Sequence, residues 1–231
     1  MKTNVVSTAI LFVFFLIWVL SACTPTTVIY PESATPKAHT PPPKGLVEVI
    51  DIIPTIRLDI RYATSNNFIG QVMVGYGAPR AFLLPKVAEQ LKKVQAELQK
   101  KSLSLKIYDA YRPMRTELAM IDWAKNTGND DYLTYGYLNT NVKKTNSFGH
   151  SSGNAVDLTI VDSHEKELDM GTEFDDFSKA SWTLNATGSV LKNRLLLKNT
   201  MEKYGFTNFS REWWHYNYWN LRGKTLDEPI H

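Results

Sequence analysis

Apolar positions along this 231-residue chain change period from one segment to the next. From Leu84 they fall at Leu84, Val87, Leu91, Val94 and Leu98. Steps of three and four put one stripe on a helix whose other face is charged. Leu103, Leu105 and Ile107 then alternate with polar residues, predicting a strand that runs into Asp109-Ala-Tyr-Arg-Pro113. Leu46-Val-Glu-Val-Ile-Asp-Ile-Ile53 alternates loosely before Pro54 and predicts a strand, and residues 56–62 predict a second. Helices are expected over residues 115–125 and 190–204, the latter ended by Gly205, and residues 155–161 form a β-rich run. Residues 126–144, rich in Gly, Asn, Thr and Tyr, read as a long loop. Strands and helices alternate irregularly with short connections. The expected fold is α+β, a single domain with a small antiparallel or mixed sheet flanked by helices.

The chain before Gly45 follows other rules. Lys2 precedes an apolar run over residues 9–20 and then Ser21-Ala22-Cys23, the layout of an export signal. The run is shorter than the roughly 20 apolar residues of a membrane span. Leu20-Ser-Ala-Cys23 resembles a bacterial lipobox, in which cleavage precedes a cysteine that is then acylated. Cys23 is the only cysteine, so no intramolecular disulfide can form. Residues 1–22 are expected to be a lipoprotein signal peptide. Residues 23–44 are expected to be a lipidated, Pro/Thr-rich tether ending in Pro41-Pro42-Pro43 and Lys44, too poor in apolar surface to fold. Residues 45–231 then carry the folded domain. The expected address is the cell envelope, with the domain held outside the cytoplasm through lipidated Cys23. Thr24 lacks the acidic character linked to inner-membrane retention, which favours an outer membrane where the cell has one.

Composition narrows the partners. The formal charge of +3, from 26 basic and 23 acidic residues without a dense basic run, argues against a nucleic-acid partner. Five histidines are present. His39 lies in the tether, His231 is the last residue and His164 sits in a polar turn, leaving His150 and His215. His150 opens His-Ser-Ser-Gly-Asn-Ala-Val-Asp157, where a carboxylate enters a mostly apolar strand and needs a partner to offset desolvation. His215 closes Glu212-Trp-Trp-His215. Two His and one Asp would leave a tetrahedral Zn²⁺ with an open fourth position, and Glu212 could act on water there without binding the ion. A pair of core histidines with a stabilising Asp is the plainer alternative. Arg112 alone would read as a surface ion pair and Tyr62 as core packing.

His150-x-x-Gly-x-Ala-x-Asp157 followed by Glu212-x-x-His215 resembles the zinc signature of bacterial D,D-peptidases, and most closely that of the VanX-type D-alanyl-D-alanine dipeptidases. Asp59-Ile-Arg-Tyr-Ala-Thr64, Asn67-Phe68, Tyr108-Asp-Ala-Tyr-Arg-Pro113, Met170-Gly-Thr-Glu-Phe-Asp175 and Glu212-Trp-Trp-His-Tyr216 match that family's blocks in order. The resemblance implies one Zn²⁺ per chain on His150, Asp157 and His215. It implies Glu212 as general acid/base, Arg112 as oxyanion stabiliser, and Asp175 with Tyr62 at the substrate's free amine. The implied reaction is hydrolysis of D-Ala-D-Ala. Two other outcomes are a D,D-carboxypeptidase or endopeptidase on peptidoglycan stem peptides, and a non-catalytic peptidoglycan-binding lipoprotein. The family's Ser-x-His pattern is broken here by Phe148, with Ser147 one position earlier.

Overall fold

A computed structural model describes residues 40–138, 149–221 and 223–231. The expected signal peptide, Cys23, most of the tether with His39, residues 139–144 of the expected loop, and the Ser147-Phe148 pair lie outside the described residues. Among the described residues no helix is long and apolar enough to cross a membrane.

The centre of the domain is β5 (Ala155–Val161), buried along its whole length. On one side it pairs antiparallel with β4 (Ser104–Asp109), on the other with β7 (His215–Asn217). β2 (Arg57–Leu58) extends the sheet parallel to β4, and β6 (Thr207–Asn208) closes it antiparallel to β7. The result is a mixed five-stranded sheet in the order β2-β4-β5-β7-β6. A separate antiparallel pair joins β1 (Val47–Glu48) to β3 (Phe82–Leu83). The α+β architecture is therefore the one the alternation of periods predicts.

Register sorts the two faces of the sheet. Leu105 lies opposite Ile160, Ile107 opposite Leu158, and Val156 opposite Tyr216, so one face is apolar. That face meets α2 (Pro85–Gln99), which presents Val87, Leu91, Val94 and Leu98 as the periodic stripe requires and in turn packs on α5 (Gly188–Lys203). On the opposite face Asp157 lies beside His215. By simple alternation Asp109 would share the apolar face with Ile107. A register shift between these two residues makes Asp109 the partner of Asp157 instead. A bulge of this kind turns the following side chain to the other face.

Three expected elements change form. Residues 46–53 are not one strand, because β1 gives way to the single-turn helix α1 (Val49–Ile52). A helical turn buries Val49 and Ile53 together and leaves Asp51 exposed, which no strand alternation can do with Ile52 and Ile53 adjacent. The second strand stops at Leu58, and residues Arg61–Ala63 form a 3-10 turn that buries Tyr62. The long loop contains α4 (Asp130–Thr134), which follows α3 (Met114–Asn126).

Candidate metal centre and substrate pocket

His150, Asp157 and His215 converge, with one ligand atom of each within 4.8 Å of the others. His150 Nε2 lies 3.2 Å from Asp157 Oδ2 and 3.2 Å from His215 Nδ1, and His215 Nδ1 lies 2.9 Å from Asp157 Oδ1. Ligands at about 2.0–2.1 Å in a tetrahedron stand about 3.3 Å apart, so the triangle has the dimensions of a zinc site. Two imidazoles and one carboxylate are a donor set that zinc accepts, with a fourth position left over. His150 also fits in its second nitrogen. Nδ1 donates to Ala110 O at 2.6 Å, which leaves the Nε2 lone pair facing the cluster. His215 presents Nδ1 inward while Nε2 faces the Asn217 side-chain amide at 2.7 Å. With the amide oxygen turned to that nitrogen, the proton stays on Nε2 and Nδ1 is free to ligate.

The sheet explains the convergence. Asp157 and His215 are cross-strand neighbours, and His150 arrives on a 3-10 turn (His150–Ser152) directly before β5. Gly153 ends that turn with a φ of +70°, and a Cβ there would stand 2.6 Å from Leu46 Cδ2, so glycine alone suits the position. The Arg112 backbone N–H donates to His150 O at 3.3 Å, tying the arginine segment to the same turn.

Arg112 is buried. Its Nε donates to Asp109 Oδ2 at 2.9 Å, Nη2 to Asp157 Oδ2 at 3.4 Å, and its guanidinium lies 4.8 Å from the Tyr62 ring centre. Glu212 is also buried, with Oε2 at 3.8 Å from His215 Nδ1. Burial, reinforced by the charge of Asp157, pushes the Glu212 carboxyl well above the usual range, with His150 and Arg112 opposing. Asp157 goes the other way. Burial alone would raise it, but the charges and hydrogen bonds of His150 and His215 hold it below the usual range. The loop carrying Glu212 is anchored by its tryptophans: Trp213 and Trp214 are buried, and Trp213 donates its backbone N–H to Ser181 O and Nε1 to Thr172 Oγ1.

Across a cavity of about 350 Å³ stands Asp175, which accepts from Tyr62 Oη at 3.1 and 3.2 Å. Burial, then the charges of Asp157 and Glu212, push this carboxyl well above the usual range, against Arg112 and the Tyr62 hydroxyl. A buried carboxylate with so little positive charge beside it is a place where an incoming cation is favoured. Phe177 and Trp214 line the same cavity. All seven expected site residues of the domain therefore meet in one place: His150, Asp157, His215, Glu212, Arg112, Asp175 and Tyr62.

Sequence reasoning missed their supports. Asp109 accepts from Tyr76 Oη at 2.5 Å and from Arg112 Nε, and its Oδ2 lies 3.2 Å from His150 Nδ1. One carboxylate thus steadies both the arginine and a ligand. Its position inside Tyr108-Asp-Ala-Tyr-Arg-Pro113 was visible, but the bulge that turns it inward was not. Asn217 was available two residues after His215, the same-face spacing on a strand. Glu117, which accepts from Ser151 Oγ at 3.2 Å, carried no local signal.

The family model described as D-ala-D-ala dipeptidase, peptidase family M15, matches residues 43–230. A D-alanyl-D-alanine dipeptidase of Escherichia coli K12 is 34% identical over 173 residues, covering 74% of this chain and 83% of the relative. Another, from Enterococcus faecium, is 31% identical over 186 residues, covering 74% and 90%. A solved VanY D,D-pentapeptidase with Zn(II) is similar at 16% identity and a TM-score of 0.35, over 60% of this chain and 73% of that one. The chain belongs to the D-ala-D-ala dipeptidase family of M15 peptidases. It is a metallopeptidase, and zinc is the ion its His–Asp–His cluster fits.

Proposed function

We propose that the protein hydrolyses the peptide bond of free D-Ala-D-Ala, releasing two D-Ala. The observation that carries this reading is the placing of Asp175 and Tyr62 across one small cavity from His150, Asp157, His215, Glu212 and Arg112. His150, Asp157 and His215 would hold a zinc ion, which would supply a Lewis acid for the scissile carbonyl and acidify the attacking water. Glu212 accepts a proton from the attacking water and later delivers it to the leaving amine, a cycle that suits a carboxyl raised by burial. The water oxygen joins the carbonyl carbon, the C–N bond breaks, and the products are a carboxylate and an amine. Arg112, fixed by Asp109, donates to the carbonyl oxygen as it gains charge. Asp175, steadied by Tyr62, accepts from the substrate's terminal ammonium and so favours a free dipeptide over a capped or longer chain.

The lipobox around Cys23 supports a second part of the proposal, acylation of that thiol and tethering of the domain outside the cytoplasm. There it meets dipeptide released by wall turnover, so its role is recovery of D-Ala and not antibiotic resistance. Loss of the gene that changed glycopeptide susceptibility but left growth on D-Ala-D-Ala intact would contradict that role. Cys23→Ala should move the protein from the membrane to the soluble fraction.

The test of the reaction uses the full chain in detergent, with zinc, with chelator, and with N-acetyl-D-Ala-D-Ala beside the free dipeptide. Zinc-dependent release of D-Ala from the free dipeptide alone is expected. Cleavage of the acetylated peptide would move the assignment to a carboxypeptidase. Zinc binding without cleavage of either would favour a binding lipoprotein and direct attention to Phe148.

A further inference from the structure

Arg194 is buried on α5, away from the metal cluster. Among the described residues both of its hydrogen bonds go to backbone carbonyls: Nε donates to Met170 O at 2.7 Å and Nη1 to Trp182 O at 2.8 Å. These two carbonyls are the two ends of the loop that carries Asp175. One guanidinium therefore closes the loop at its base. The loop is tied again just inside that base, where Thr172 Oγ1 and Ser181 Oγ meet at 2.8 Å. It also lies tight against the helix: a Cβ on Gly171 would stand 2.6 Å from Val190 Cγ1 and 3.4 Å from Arg194 Nη2. At the far end Asp175 adopts a φ of +64°, a conformation that a non-glycine residue keeps only when its surroundings impose it.

A packing role alone would be met by an apolar side chain, since burying a cation carries a desolvation penalty that carbonyl bonds offset only in part. What a guanidinium does that Leu or Met cannot is hold two carbonyls at a fixed separation with a planar fork. We propose that Arg194 is a positioning residue for substrate selection, setting the loop base so that the Asp175 carboxylate stands where the substrate ammonium arrives. The inference rests on the dipeptidase reading above, and it concerns binding of the amine, not the bond-breaking step.

The test compares wild type, Arg194→Met, Arg194→Lys and Gly171→Ala, each as the full chain in detergent. Thermal unfolding and bound zinc per chain are measured alongside KM and kcat for free D-Ala-D-Ala and the rate on its N-acetylated form. Arg194→Met is expected to raise KM for the free dipeptide about tenfold or more, the size expected for a displaced charge-assisted contact. Its kcat should stay within about threefold and its zinc content unchanged, the signature of lost ground-state binding. Preference for the free over the acetylated peptide should narrow. Arg194→Lys, which keeps the charge but not the fork, should fall between. Gly171→Ala should shift KM in the same direction by lifting the loop from α5, and it decides the matter if Arg194→Met does not fold. A folded Arg194→Met with wild-type KM and preference would overturn the proposal, as would an equal fall in kcat or loss of zinc. If wild type itself releases no D-Ala, the dipeptidase reading fails first, and the inference fails with it.

Discussion

Two parts of the pocket are built by different means. On the metal side, Asp157 and His215 are cross-strand neighbours and Asp109 joins them through a bulge, so three functional side chains sit on three adjacent strands. Their spacing is that of a hydrogen-bonded ladder. On the substrate side, Asp175 sits in a loop whose regular structure is one 3-10 turn (Lys179–Ser181), held by an arginine on two carbonyls, a hydroxyl pair and a tryptophan indole. Strand register tolerates little adjustment, whereas a loop fastened at its base can change its tip at small cost to the core. Two of the candidate metal-holding groups thus sit on the stiff part and the group proposed to select the substrate on the adaptable one, a division that can be attacked from either side.

The largest effect should come from the metal side. Glu212→Gln keeps shape but cannot cycle a proton, and kcat should fall about 10²–10⁴-fold with zinc content intact. Steady-state kinetics beside metal analysis check this, and a fall in KM-limited rate alone would count against the assigned role. Next come the supports of the ligands. Asp109→Asn and Asn217→Ala should each weaken zinc binding about 10- to 100-fold, read by competition with a chromophoric chelator. Unchanged affinity in both would mean that the ladder alone places the ligands.

The adaptable side should answer differently. Asp175→Asn is expected to raise KM for the free dipeptide about 10- to 100-fold while zinc affinity holds. It should also keep or raise the thermal midpoint at pH 7. The folded-state pKa of Asp175 lies above its unfolded value, so the ionised form weighs against folding at neutral pH. That penalty fades as pH falls toward about 4, the unfolded value, and the gap between variant and wild type should close with it. A variant less stable than wild type at pH 7 would show that Asp175 supports the fold instead. The smallest effect belongs to the control. Glu165→Gln removes an exposed ion pair with Arg57 and should change stability by less than about 1 kcal/mol, with kinetics untouched.

What the chain revealed in advance follows the same division. α2, α3, α5, β4 and β5 were legible because each is long enough to show its period and has one face in the core. β3, β6 and β7 are two or three residues long, and no period can be read from so few. Residues 46–53 misled because a loose alternation also fits a strand that ends in one helical turn. At the site, Arg112, Asp175 and Tyr62 came only with the family resemblance, whereas His150, Asp157, His215 and Glu212 were legible as residue types in unusual company. Asp109 and Arg194 were not, since each acts through a geometry made elsewhere: the bulge in one case, the two ends of a distant loop in the other. Tyr62 lines the cavity from a 3-10 turn and not from the expected strand.

The bulge in β4 makes that strand a counting device. Leu105 and Ile107 belong to the apolar face, and one extra residue between Ile107 and Asp109 brings the next carboxylate out beside Asp157. Were the strand regular over the same residues, Tyr108 would stand opposite Asp157 and Asp109 would face hydrocarbon beside Ile107, parting Arg112 and His150 from their shared anchor. In this stretch the pattern of strand pairing matters to the proposed site as much as residue identity, and a change that straightened β4 without altering one site residue would be selected against.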